Sequence, residues 1–211
     1  MAQFLNDTFS GETTGTALTA HTADSGATWT AHPSWSANGT VKLNSYGSCY
    51  TEGASWGMCY ASVVPSSADY AVIGDVYTYQ KDGTCGIAAR VQTGANTFYY
   101  VYSNMTAWRL GKMVAGSDTI LQSYAQTPVD GNHYIVKLEC IGSALKVYVG
   151  ADLIMSATDT DITDAGRVGV YLYEVNGLTV LDYITAEDAV TATTSLIIPR
   201  AGRGSSFIAV R

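Results

Sequence analysis

The sequence predicts an all-β fold, an antiparallel two-sheet β-sandwich, on three observations. Short apolar–polar alternations recur along the chain, glycine-bearing turns separate them, and no stretch sustains a capped helical period. The 211 residues include 21 glycines, 15 tyrosines and only 4 prolines. Tyrosine suits a half-buried pleated surface, where its ring packs on neighbours and its hydroxyl stays in water. A chain of this length holds one sizeable core.

The elements follow in order. Residues 69–80 (DYAVIGDVYTYQ) alternate as a strand, and Lys81-Asp82-Gly83-Thr84 is a hairpin turn signal. Residues 85–92 (CGIAARVQ) form the next strand, Thr93-Gly94-Ala95-Asn96 turns again, and 97–103 (TFYYVYS) is the most β-prone run of all. Residues 108–114 continue the meander, and a polar loop leads on to Asp130-Gly131-Asn132. In 133–141 (HYIVKLECI), Val136 and Leu138 share one face while Lys137 and Glu139 share the other. Gly142-Ser143 turns into a strand at 145–149, and strands at 169–174 and 178–185 complete the set.

Three stretches resemble a known family. The opening carries Leu18, His21, Asp24, Gly26 and Trp29 in the pattern L-x-x-H-x-x-D-x-G-x-x-W. The middle carries Gly86-Ile87-Ala88-Ala89-Arg90 before Phe98-Tyr99-Tyr100, and the close carries Gly166-Arg167-Val168-Gly169-Val170 and then 181–188. Together they resemble concanavalin A-like, laminin-G-like jelly rolls of the kind found in bacteriophage structural proteins and bacterial surface proteins. The resemblance spans roughly residues 4–188. It implies a jelly-roll domain over 1–188 and a C-terminal extended arm over 189–211, and it says little about function, because this fold hosts many.

The arm differs in chemistry from the body. Arg200, Arg203 and Arg211, with no acid, give 189–211 a charge of +3, which leaves −10 on the rest of a −7 chain. Two apolar clusters lie within the arm, Leu196-Ile197-Ile198 and Phe207-Ile208-Ala209-Val210, separated by Pro199 and a glycine-arginine hinge. Such clusters seek a sheet edge or groove, in the same molecule or a neighbour. The expected assembly residues are therefore Leu196, Ile197, Ile198, Arg200, Arg203, Phe207, Ile208 and Val210. An acidic body with a pI of about 4.7 argues against nucleic acid as a partner. No run of 18 apolar residues is present, so no membrane insertion by a helix is expected.

Catalysis is not expected. The laminarinase-type hydrolases implied by the resemblance place carboxylates in the pattern E-x-D-x-x-E along one strand, since retaining cleavage needs two carboxyls roughly 5 Å apart. The corresponding strand here, Ile73 to Gln80, holds Asp75 alone, which reads as a polar outward residue. No G-x-S-x-G elbow or phosphate-binding loop occurs.

Three further sets deserve naming. Tyr77 and Tyr79 share a strand face, Tyr100 and Tyr102 share another, and Trp108 opens the next strand. These five rings are the ligand-binding candidates, because flat rings on a sheet stack on sugars, although core packing is the better expectation for any single one. Asp159, Asp161 and Asp164 place three carboxylates in a short loop that could hold calcium. A Thr/Asp turn with solvated acids is the favoured reading, so no cofactor is expected. Among the cysteines, Cys49 and Cys59 flank a glycine-rich segment that could close as a disulfide-bridged hairpin, while Cys85 and Cys140 read as buried free thiols.

The functional expectation is a non-catalytic bacteriophage virion protein, a capsid decoration protein or a tail or fibre module. It would be a homo-oligomer attached to other virion proteins, with host-surface or environmental glycans as further ligands. The alternative is a carbohydrate-binding module of a secreted bacterial protein. The first nine residues lack the basic-then-apolar order of a secretory signal. That fits synthesis in a host cytoplasm and display on the virion surface, or a trimmed chain; the alternative location is extracellular.

Overall fold

In a computed structural model of the chain, residues 2–189 are described apart from 36–39, 52–54, 79–82, 105 and 175–178. The period-two alternation is realised as antiparallel strands in two stacked sheets. In chain order the strands are β1 (Gln3–Asp7), β2 (Trp29–Ala31), β3 (Val41–Leu43), β4 (Cys49–Thr51), β5 (Ser55–Ala61), β6 (Tyr70–Thr78), β7 (Thr84–Gln92) and β8 (Thr97–Ser103). They continue with β9 (Ala107–Val114), β10 (Ser117–Ala125), β11 (His133–Ile141), β12 (Ala144–Val149), β13 (Asp152–Thr158), β14 (Arg167–Glu174) and β15 (Thr179–Asp188). One sheet runs β13-β12-β11-β6-β15-β4-β3, with β1 on β15; the other runs β10-β9-β8-β7-β14-β5-β2. The sheets form a sandwich that does not close into a barrel. No α-helix occurs among the described residues, only a 3-10 turn at Leu18–Ala20.

The inner faces interdigitate as a single core. Val72, Val76, Leu138, Val147 and Leu181 from the first sheet meet Ile87, Val101, Trp108, Leu110, Val170 and Leu172 from the second. The alternation expected in β11 holds: Val136 and Leu138 are buried, and Lys137 and Glu139 are half-buried on the outer face.

Strands β1 to β5 precede the first strand bounded from the sequence, and beyond it two more strands differ from the expectation. The interval after β9, expected as a polar loop, begins with a tight turn at Ala115 (φ 48°) and Gly116 (φ 87°) and returns as β10. The residues at 152–158 form β13 beyond the Gly150 turn. Both are edge strands and mostly solvated, so neither needs the clean alternation by which a half-buried strand betrays itself.

The expected Cys49–Cys59 hairpin does not form. β4 and β5 belong to opposite sheets, so the two strands do not pair as a hairpin. All four cysteines are buried free thiols within the core. Cys85 and Cys140 agree with the expectation.

The opening motif is a corner built around one buried carboxylate. Asp7, at the end of β1, accepts hydrogen bonds from the Trp29 indole (2.7 Å) and the Phe9 backbone N–H (2.8 Å). His21 places Nε2 3.0 Å from Asp7 and Nδ1 3.0 Å from Glu12. With a carboxylate on each side, a protonated imidazole can donate from both ring nitrogens. Burial opposes that charge, but Glu12 and Asp7 outweigh it and raise the His21 pKa above its ordinary value. Asp24 closes the corner by accepting from Thr8 N–H (3.0 Å) and Oγ1 (2.8 Å), and Gly26 turns with φ 84°.

Arg90 organises a separate set of loops. It is fully buried at φ 52°, in the irregularity where β7 leaves register with β8. Its guanidinium donates to the carbonyls of Ala68 (3.0 Å), Ile162 (2.7 Å) and Gly142 (2.9 Å), fastening three separate loops.

Candidate functional site

The outer face of the seven-stranded sheet carries a second apolar cluster, distinct from the core. Alternation turns Trp56, Met58 and Tyr60 of β5, Tyr171 and Tyr173 of β14, Phe98, Tyr100 and Tyr102 of β8, and Arg109 of β9 to this side. Cross-strand register then lines them up: Tyr173 faces Trp56, Tyr171 faces Gly86, Gly86 faces Tyr102, and Tyr102 faces Arg109. Small residues make room for the rings. Gly111 lies opposite Tyr100, and a Cβ there would collide with that tyrosine's ring.

The rings pack in layers. Trp56 stacks on Tyr171 with centroids 4.6 Å apart and planes at 20°, and Tyr100 stacks on Tyr102 at 5.5 Å and 20°. Trp35, from the loop after β2, stands edge-on to Tyr171 at 5.6 Å and donates its indole N–H to Asn96 (2.8 Å). Phe98, Tyr100 and Tyr171 are buried as the lower layer, while Trp35, Trp56, Tyr60 and Tyr173 are half-buried and form the accessible rim. Burial raises the Tyr100 and Tyr171 pKa values, and for Tyr100 its hydrogen bond to Asp118 adds to the effect. Both are neutral phenols at any physiological pH. Half-exposed Arg109 hydrogen-bonds Tyr102, and its Nε has no partner among the described residues.

The five rings singled out from sequence are therefore distributed, not gathered. Tyr100 and Tyr102 lie in this cluster. Trp108 points the other way, fully buried in the core with its indole N–H on Gln126 (2.8 Å), and is corrected from ligand candidate to core residue. Tyr77 lies on the outer face of the opposite sheet, 4.7 Å from the His133 ring, and Tyr79 falls outside the described residues. Trp35, Trp56, Tyr171 and Tyr173 were missed. Each strand's alternation announced an aromatic face, but only the strand order, with β14 between β7 and β5, joins them.

The acidic loop is occupied from within the chain. The Lys112 ammonium bridges Asp159 and Asp161, at 2.6 Å from the latter, and Asp159 also accepts from Tyr99 (2.7 Å). Burial disfavours the charged Asp159, yet Lys112 and Tyr99 prevail and lower its pKa. Asp164 stands on the wall of a neighbouring pocket with Thr97 and Ile162. The assembly residues Leu196, Ile197, Ile198, Arg200, Arg203, Phe207, Ile208 and Val210 lie outside the described residues. No helix among the described residues is long and apolar enough to cross a membrane.

No protein-family model and no curated protein matches the sequence. Solved structures do match in fold. Carbohydrate-binding module CBM66 from Bacillus subtilis is 19% identical, with a TM-score of 0.63 over 76% of this chain and 95% of that one. A Bacillus subtilis protein of unknown function with a galectin-like fold gives a TM-score of 0.65 at 9% identity, over 89% of this chain and 96% of that one. A glycosyl hydrolase family 16 protein from Mycobacterium smegmatis gives 0.57 at 9% identity, over 88% and 100%. The fold is thus that of a concanavalin A-like jelly roll, here with an aromatic outer face. At these identities the likeness is one of fold.

Proposed function

We propose that this protein is a non-catalytic glycan-binding module whose ligand lies on the outer face of the seven-stranded sheet. The observation that carries the reading is the rim of Trp35, Trp56 and Tyr173, half-exposed over a buried second layer of rings. Sugar rings offer apolar C–H faces to such a platform, and fixed rings lose little entropy on binding. Arg109 beside the rings supplies donors for hydroxyl groups. A panel of immobilised polysaccharides tests this on the full chain. The wild type is expected to be retained on at least one polymer, and Trp56→Ala to bind about tenfold or more weakly, as for a central aromatic anchor. No retention on any polymer, or unchanged retention of the variant, overturns the reading. Release of reducing sugar from the bound polymer would instead make the protein an enzyme.

The setting we propose is the bacteriophage virion surface, with the apolar-basic arm at 189–211 as the attachment element. This rests on the opening motif and on the +3 arm beside a −10 body. Deleting residues 190–211 is expected to abolish assembly in light scattering and attachment in a virion-binding assay while glycan retention persists. Unchanged assembly and attachment would count against the virion reading alone and leave an extracellular module.

A further inference from the structure

A second cluster lies on the opposite sheet and is independent of the glycan-binding reading. Three adjacent strands, β11, β6 and β15, bring His133, Asp75 and Asp182 together on the outer face. Asp75 and Tyr77 point outward from β6, while Gly74 and Val76 lie against the core. His133 faces Tyr77 across the β11–β6 pair, which sets its ring diagonally over Asp75. Asp182 arrives by an irregularity: Leu181 pairs with Val76 and Tyr183 with Asp75, so Asp182 is the extra residue of a β-bulge. A bulge re-aims a side chain that regular pairing would carry elsewhere.

The geometry points to a divalent transition-metal site, of zinc character, held by Asp75, His133 and Asp182. The three ligand atoms lie within 4.8 Å of one another. His133 Nδ1 is 3.0 Å from Asp75 Oδ2 and 3.4 Å from Asp182 Oδ2. Metal bonds of about 2.0–2.2 Å at tetrahedral angles set neighbouring ligand atoms roughly 3.3–3.6 Å apart, so the two histidine spacings need only small adjustment, while the two carboxylates, within 4.8 Å, would close on the ion. Calcium, with its longer bonds and six to eight oxygens, fits one imidazole and two carboxylates poorly.

A second observation separates this cluster from an ordinary surface ion pair. Asp75 is only 9% exposed, and its Oδ1 is buried with no hydrogen-bond partner among the described residues. Asp182 Oδ1 is likewise buried and unpartnered. Two close carboxylates with orphaned oxygens are costly to bury, and a single imidazolium balances only one of them, whereas a divalent cation balances both. Ser48 hydrogen-bonds Asp182 and the Tyr77 ring packs on His133, the kind of outer support that fixes a metal ligand. Three protein ligands leave one position for water or an incoming donor.

The test uses the full, tag-free chain after chelator treatment, titrated calorimetrically with Zn²⁺, Mn²⁺, Ca²⁺ and Mg²⁺. One saturable Zn²⁺ site per chain is expected, with no comparable binding of Ca²⁺ or Mg²⁺. Asp75→Asn, Asp182→Asn and His133→Ala should each weaken it by at least about 100-fold, more than the loss of an outer-shell partner costs. Circular dichroism confirms that the variants fold, and Co²⁺ absorption that changes in His133→Ala reports the ligand directly. Absence of saturable Zn²⁺ binding overturns the proposal. So does binding that survives the three substitutions, or equal binding of Ca²⁺.

Discussion

Replacing Arg90 with methionine isolates what one buried cation contributes to the sandwich. Methionine keeps most of the apolar stem while removing three donor interactions, to the carbonyls of Ala68, Ile162 and Gly142. Hydrogen bonds to charged groups contribute about 1.5–3 kcal/mol each, which bounds the loss at about 4.5–9 kcal/mol. Part returns, because the bonds to Ala68 and Gly142 are only partly buried and those carbonyls can rehydrate; the Ile162 bond is buried and its carbonyl is stranded. Removing Arg90 also relieves the cost of burying its charge, leaving an expected destabilisation of about 3–5 kcal/mol. For a chain of this size that lowers Tm by roughly 6–20 °C. Urea unfolding followed by tryptophan fluorescence gives the free energy, with an unchanged m-value showing that the unfolded state is not the cause. Arg90→Lys should fall between, since an ammonium keeps the charge but cannot fork to three carbonyls. A loss below about 1 kcal/mol for the methionine variant would refute the account of Arg90 as the tie between these loops.

Three further outcomes are expected. The His21 pKa is raised on folding from 6.5, so its protonation stabilises the fold fully below that value, and the contribution fades as pH rises through the higher folded pKa. Urea midpoints measured from pH 5.5 upward should therefore decline more steeply in the wild type than in His21→Asn, and equal slopes would refute the protonated corner. Burial pushes the Cys59 and Cys140 thiols up to about 12 and also raises Cys49 well above the ordinary thiol range, so alkylation of the native protein should label none of the four cysteines and alkylation after non-reducing denaturation all four; a denatured count of two would restore the disulfide. Gly111→Ala forces the Tyr100 ring off its neighbour and should cost about 1–3 kcal/mol by overpacking, with weaker polysaccharide retention, while an unchanged urea midpoint would show that the ring has room to move.

By itself the sequence determined the fold class and most of the strands, because half-buried strands must alternate and their turns must carry residues that tolerate positive φ. β8 and β11 match their expected bounds, and β6, β7, β9, β12, β14 and β15 lie close to theirs. The opening motif was legible as a resemblance, and its residues prove to be one corner sharing the carboxylate of Asp7 and the turn around Asp24. Tertiary structure alone decided which sheet each strand joins. That choice split the five expected rings, burying Trp108 in the core, leaving Tyr77 on one outer face and placing Tyr100 and Tyr102 on the other. It also put Cys49 and Cys59 in different sheets and gave Asp159 and Asp161 to Lys112. Asp75, read from sequence as a lone acid, acquired His133 and Asp182 from strands 58 and 107 residues away in number. Alternation is a local property of the backbone, fixed within a few residues. Strand order and bulges are long-range outcomes of how the whole core packs, and the aromatic face and the Asp75 cluster exist only at that level.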